Sequence, residues 1–125
     1  MFDTPYVMQM AQNLARHAGA RQAQIAKNVA NADTPGYRAR DLSDFTDQFR
    51  ESGMKATRAK HMQASAAADT FRVVTVPGAT SPNGNSVSLE EEMVRASDAK
   101  SAHDMALTVY KSSLDVLRAS LGRGR

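Results

Sequence analysis

Apolar and small residues recur at Val7, Ala11, Leu14, Ala18, Ile25, Val29 and Ala32. Steps of three, four and seven place them on one face of a helix. Gly19 falls inside the pattern, at a cost of about 1 kcal/mol relative to alanine. Alanine fills much of the stripe, so this helix needs close packing against another element. Near the other end, Leu89, Met93, Ala96, Lys100, His103, Leu107, Tyr110, Leu114, Leu117 and Leu121 follow in alternating steps of four and three. That is a heptad seam in which only Lys100 and His103 are polar, and Ser113 lies off it. Ser88 and Glu91 suit a capping box, and Glu90, Glu91 and Glu92 put negative charge at the helix start, where the dipole favours it. Arg118 and Arg123 stand near the favourable opposite end. A helix from Leu89 to Leu121 would be about 50 Å long at ~1.5 Å per residue.

The first helix meets a sharp stop in IAKNVANADTPGYRARD, residues 25 to 41. Pro35 disfavours helical geometry at Thr34, so the helix should end by Asp33. Thr34-Pro35-Gly36-Tyr37 fits a type II turn, with positive φ expected at Gly36. Asn28 and Asn31 sit about one turn apart at the helix end. Their amides can bond the unsatisfied carbonyls of the last turn, or the loop that follows. DLSDFTDQFRES, residues 41 to 52, predicts a short amphipathic helix with Leu42, Phe45 and Phe49 inward and a cap at Asp41 or Ser43. GMKATRAKHMQASAAAD reads as loop or weak helix, and FRVVTV, residues 71 to 76, as a strand closed by Pro77-Gly78. Asn83-Gly84 can support a tight hairpin.

These elements predict a mainly α fold in one domain, residues 1–125. The long terminal helices (1–33 and 88–122) would pair as a coiled coil, around a loop-rich middle (34–87) holding a short helix and a minor β-strand or hairpin. Each helix alone would be marginal, because helical stability comes mainly from burying the apolar stripe.

Composition narrows the function. With no Trp and 6% aromatics, a dense independent core is not expected, which points to an assembly subunit completed by partners. The net charge of +3 is spread along the chain, and its densest cluster, Lys55, Arg58 and Lys60 beside His61, is flanked by Glu51 and Asp69. A nucleic-acid footprint would gather positive charge on one face. The absence of cysteine excludes disulfides and thiolate metal sites. His17, His61 and His103 lack ligand spacing. The acidic run at 90 to 92 points in different directions on a helix, so capping explains it better than acid–base chemistry. No catalytic, metal or cofactor site is expected. The N-terminal residues lack the basic and apolar regions of a secretory signal, and no apolar run reaches the ~18 residues of a membrane span. Lys100 and His103 suit either a register device or a seam turned toward solvent or a neighbour.

Asn28-Val29-Ala30-Asn31-Ala32-Asp33-Thr34-Pro35-Gly36-Tyr37 closely resembles the N-terminal signature of the bacterial flagellar rod and hook axial proteins. GNSVSLEEEM, residues 84 to 93, resembles the segment that opens the C-terminal helix in that family's proximal rod members, and TRAKHM, residues 57 to 62, resembles the stretch before their central loop. The GRGR tail is more basic than the family pattern. The resemblance implies a structural subunit of the proximal rod, with Asn28, Asn31, Thr34, Pro35, Gly36 and Tyr37 as the family motif. The assembly seam would comprise Leu14, Ile25, Val29, Leu89, Met93, Leu107, Tyr110, Leu114, Leu117 and Leu121. Implied partners are other copies of the chain and neighbouring rod proteins such as FlgC. FliE, membrane-ring and export-gate proteins would meet it at the rod base; no nucleic acid is implied. The implied location is the periplasmic rod, reached by the flagellar type III apparatus without a cleaved signal peptide. Two other classes stay open on the residues alone: a small basic helical nucleic-acid-binding protein, and a cytosolic coiled-coil adaptor or secretion chaperone.

Overall fold

A computed structural model describes residues 5–54 and 71–122. The TRAKHM segment and the tail past Gly122 lie outside these residues. In chain order the elements are α1 (Tyr6–Ala30), β1 (Arg40–Leu42), α2 (Phe45–Met54), β2 (Val73–Thr75) and α3 (Leu89–Gly122). The fold is mainly α, with α1 and α3 packed together as its principal contact. Asn28 at the end of α1 bonds Glu92 at the start of α3, so the helices run antiparallel. Beyond that shared end α3 continues about 8 residues further than α1, or roughly 12 Å.

The α1–α3 interface is built from small residues. Ala11, Ala18 and Ile25 of α1 are buried there with Ala99 and Ala106 of α3. Glu92, Ala99 and Ala106 are spaced by seven, and the half-buried Ser113 continues that row with its hydroxyl donating to the Val109 carbonyl at 2.9 Å. The row turned to α1 therefore precedes the Met93–Lys100–Leu107–Leu114–Leu121 frame by one residue. Ala96, His103, Tyr110, Leu114 and Leu117 are half-buried beside it, whereas Met93 is 73% exposed and Leu121 78% exposed. Ser113 thus belongs to the packed face, contrary to the sequence expectation. The reason is steric: alanine against alanine lets two backbones approach closely, and the separation of packed helices follows the side chains at the contact. Leucine is the stronger apolar signal in sequence, but it would hold the helices apart.

The short middle helix starts later than expected, at Phe45, because residues 40–42 are extended instead. Leu42 is buried as anticipated, but from a strand. Its spacing of three and four to Phe45 and Phe49 mimics a helical stripe, which is why the strand was hidden. Neither expected cap serves as one. Asp41 accepts from its neighbour Leu42 N–H and from Arg21, and the Ser43 hydroxyl accepts from the Gln48 side chain. β1 and β2 pair antiparallel, Arg40 with Thr75, Asp41 with Val74 and Leu42 with Val73. α2 meets α1 through ring contacts. His17 donates to the Ser43 carbonyl at 2.8 Å and meets Phe45 and Phe71 edge-on, while Tyr6 meets Phe49. His17 is therefore a satisfied packing residue.

Candidate functional site

The helix end at Ala30, the turn after it and the start of α3 share one polar cluster centred on Asn28, which is 0% exposed. Its Oδ1 accepts from Gln24 Nε2 (3.1 Å), Tyr37 Oη–H (3.0 Å) and Arg40 N–H (3.3 Å). Its Nδ2 donates to the Arg40 carbonyl (2.6 Å) and to Glu92 Oε1 (3.2 Å). The side-chain amide thus pairs with both backbone groups of Arg40, as a strand residue would. Only a group with donor and acceptor side by side can do this. Asn31 caps locally instead, donating to the Lys27 carbonyl (2.8 Å) and accepting from the Thr34 hydroxyl (3.1 Å).

The turn is of the expected kind. Tyr37 N–H reaches the Thr34 carbonyl at 3.3 Å and Gly36 has φ +74°. A second turn abuts it. Gly84 N–H donates to the Ser81 carbonyl, Ser81 N–H to the Asn85 carbonyl, and Gly84 has φ +84°. Asn83-Gly84 thus makes a tight reversal, without flanking strands. Gly36 N–H donates to the Asn83 carbonyl at 3.0 Å, and a Cβ on Gly84 would stand 3.3 Å from Gly36 Cα. Two left-handed glycines back to back let the turns touch. Behind them the buried Asn85 side chain donates to the carbonyls of Asn31 (2.8 Å), Ala32 (2.9 Å) and Thr34 (2.8 Å). These three carbonyls lie just past the end of α1, in the chain's turn away from the helix, and this amide reaches them from 51 to 54 residues away. Ser86 adds two bonds to the departing chain, its N–H to the Tyr37 carbonyl and its hydroxyl to Ala39 N–H.

Charge continues the cluster along the interface. Glu92 is 1% exposed and accepts from Arg95 as well as Asn28 through Oε1. Arg95 lies 3.9 Å from Asp41, which takes two bonds of 3.0 Å from Arg21. That fork of hydrogen bonds holds the Arg21 pKa above its ordinary value, against the opposing effect of desolvation. At the start of α3, Ser88 Oγ accepts Glu91 N–H at 3.4 Å, but the Glu91 carboxylate turns to Arg95. Only half of the capping box forms.

The motif residues Asn28, Asn31, Thr34, Pro35, Gly36 and Tyr37 therefore meet at one place. The seam residues do not. Ile25 is buried; Leu14, Tyr110, Leu114 and Leu117 are half-buried; Val29, Leu89, Met93, Leu107 and Leu121 are exposed. Sequence reasoning missed Gln24, Asn85, Ser86, Glu92 and the Arg21–Asp41–Arg95 chain. For Asn85 a signal existed, because the carbonyls stranded by the Pro35 stop require donors. The cluster offers no reactive group: among the described residues no set of His, Asp and Glu side chains could hold a metal. Among the same residues no helix is long and apolar enough to cross a membrane. What the site does is mechanical. It stops α1, sends the chain off at a fixed angle and ties that point to α3.

A helical hairpin locked at one end, with large apolar residues left uncovered along α3, has the surface of an assembly subunit. Residues 8–38, which span most of α1 and the turn, match the family described as Flagella basal body rod protein. The chain is 35% identical over 107 residues to the flagellar basal body rod protein FlgB of Salmonella typhimurium, covering 75% of this chain and 77% of that protein. It is 30% identical over 114 residues to FlgB of Agrobacterium fabrum, covering 85% of each. FlgB of Yersinia enterocolitica is 32% identical over 117 residues, covering 83% of this chain and 85% of the relative. The chain belongs to the FlgB family of flagellar basal body rod proteins. It is a structural protein of the bacterial flagellum.

Proposed function

We propose that the chain polymerises through its terminal helices in the proximal rod, linking the membrane ring and export gate to the rest of the rod. Residues 1–125 act as a single rod-subunit domain. Its partners are other copies of itself and neighbouring rod proteins such as FlgC, with FliE, membrane-ring and export-gate proteins at the base. It reaches the periplasmic space through the flagellar type III apparatus, without a cleaved signal peptide. In the assembled rod the terminal helices form a coiled coil. The seam residues that α1 leaves uncovered meet other subunits there.

The observation that carries this reading is the exposure of Leu89, Met93, Leu107 and Leu121 in a chain of this family. Large apolar side chains left exposed in a row along one helix are the kind of surface that a partner covers. Leu107 is the informative position, because it is exposed within the subunit and its replacement should change subunit stability by no more than about 0.5 kcal/mol. Leu107→Asp should leave secretion and helicity unchanged while blocking rod incorporation and swimming, since a charge buried without a partner costs several kcal/mol at a dry interface. A motility assay paired with a blot for exported subunit separates lost assembly from lost export. Wild-type swimming by this variant would remove α3 from the polymer contacts.

A further inference from the structure

Two exposed apolar rows run along α3, one on each side of the face turned to α1. The first holds Met93, Leu107 and Leu121, with Lys100 and the half-buried Leu114 in the same seven-residue frame. The second holds Val94, Met105 and Val116, spaced by eleven, which is about three helical turns. At about 100° per residue the rows lie roughly 160° apart. The arc between them carries Glu90, Ser97, Asp104, Thr108 and Asp115, all exposed. The rows also differ in charge. The first includes Lys100, with Lys111 and Arg118 beside it; the second includes Asp98 and no basic residue.

We infer that α3 lies between the α3 helices of two further copies of the chain, the first row of each copy on the second row of the next. This rests on the rod reading and assigns the faces that meet. In a parallel alignment with neighbours level to within about 3 Å, Met93 faces Val94, Lys100 faces Asp98, Leu107 faces Met105 and Leu114 faces Val116. Apolar meets apolar at three levels, and the cation meets the anion at the fourth. A two-fold contact of the first row with itself, centred on Leu107, would set Lys100 against Leu114 with no anion and leave the second row wet. One patch meeting a different patch is a heterologous contact, which continues from copy to copy into a ring or a helix. The polar arc stays hydrated throughout.

The chain contains no cysteine, so introduced pairs report cleanly. Met105 and Leu107 are two residues apart on a helix and face away from each other, so cysteines there cannot close within one chain. Basal bodies purified from cells making the double variant Met105→Cys with Leu107→Cys, then oxidised and run without reductant, should give a ladder of linked copies. Either single variant should give monomer only. A dimer from Leu107→Cys alone would establish a two-fold contact and overturn the inference. Absence of cross-links in the double variant, with the chain present in the basal bodies, would overturn it while sparing the rod reading. Absence of the unsubstituted chain from basal bodies of wild-type cells would overturn both.

Discussion

Asn28→Asp should destabilise the chain by about 1–3 kcal/mol, the range for leaving buried hydrogen-bonding groups without their partners. The substitution preserves shape and keeps the acceptor that Gln24, Tyr37 and Arg40 N–H use. It removes the two donations, to the Arg40 carbonyl and to Glu92 Oε1. In their place a second carboxylate stands against the buried Glu92, and the Arg40 carbonyl loses its side-chain donor. Urea unfolding followed by circular dichroism measures the loss. A variant within about 0.5 kcal/mol of wild type would show that the asparagine hub does not hold the fold.

The second large effect is expected at Ala106. It is 1% exposed in the inward row of α3, against the alanine stripe of α1. Ala106→Leu adds three carbons where two backbones approach closely, and overpacking of that kind costs about 1–3 kcal/mol. The adjacent Leu107→Ala, on the exposed row, should change stability by less than about 0.5 kcal/mol. Denaturation midpoints of the two variants compare the registers directly. If Leu107→Ala were the damaging change and Ala106→Leu the silent one, the leucine frame would face α1 after all.

These two positions show what the residues disclosed in advance. The elements were legible because their signals are local: the Pro35 stop, the left-handed Gly36 and the acidic start of α3 all lie within a few residues of what they control. Asn28 and Asn31 were singled out, and the structure divides between them the two roles open to them. Asn31 bonds the last turn and Asn28 the chain beyond it. Glu92 was read as one of three charges at a helix dipole, because its partner Asn28 is 64 residues away. Asn85 was passed over for the same reason, its acceptors lying 51 to 54 residues away. The inward row of α3 was displaced by one because large apolar residues dominate a periodicity reading. In this subunit the close contact is made by alanine, and the large residues are held outward, where partners can cover them.

A density map of the assembled basal body tests that division of labour most directly. This chain should lie in the rod, with Asn28 and Glu92 still bonded at the locked end of the helical hairpin. Both exposed rows of α3, Met93 with Leu107 and Val94 with Met105, should be covered by protein, and Asp104 and Asp115 should remain in solvent. A map that placed the chain outside the rod, or that left either apolar row facing water, would contradict it.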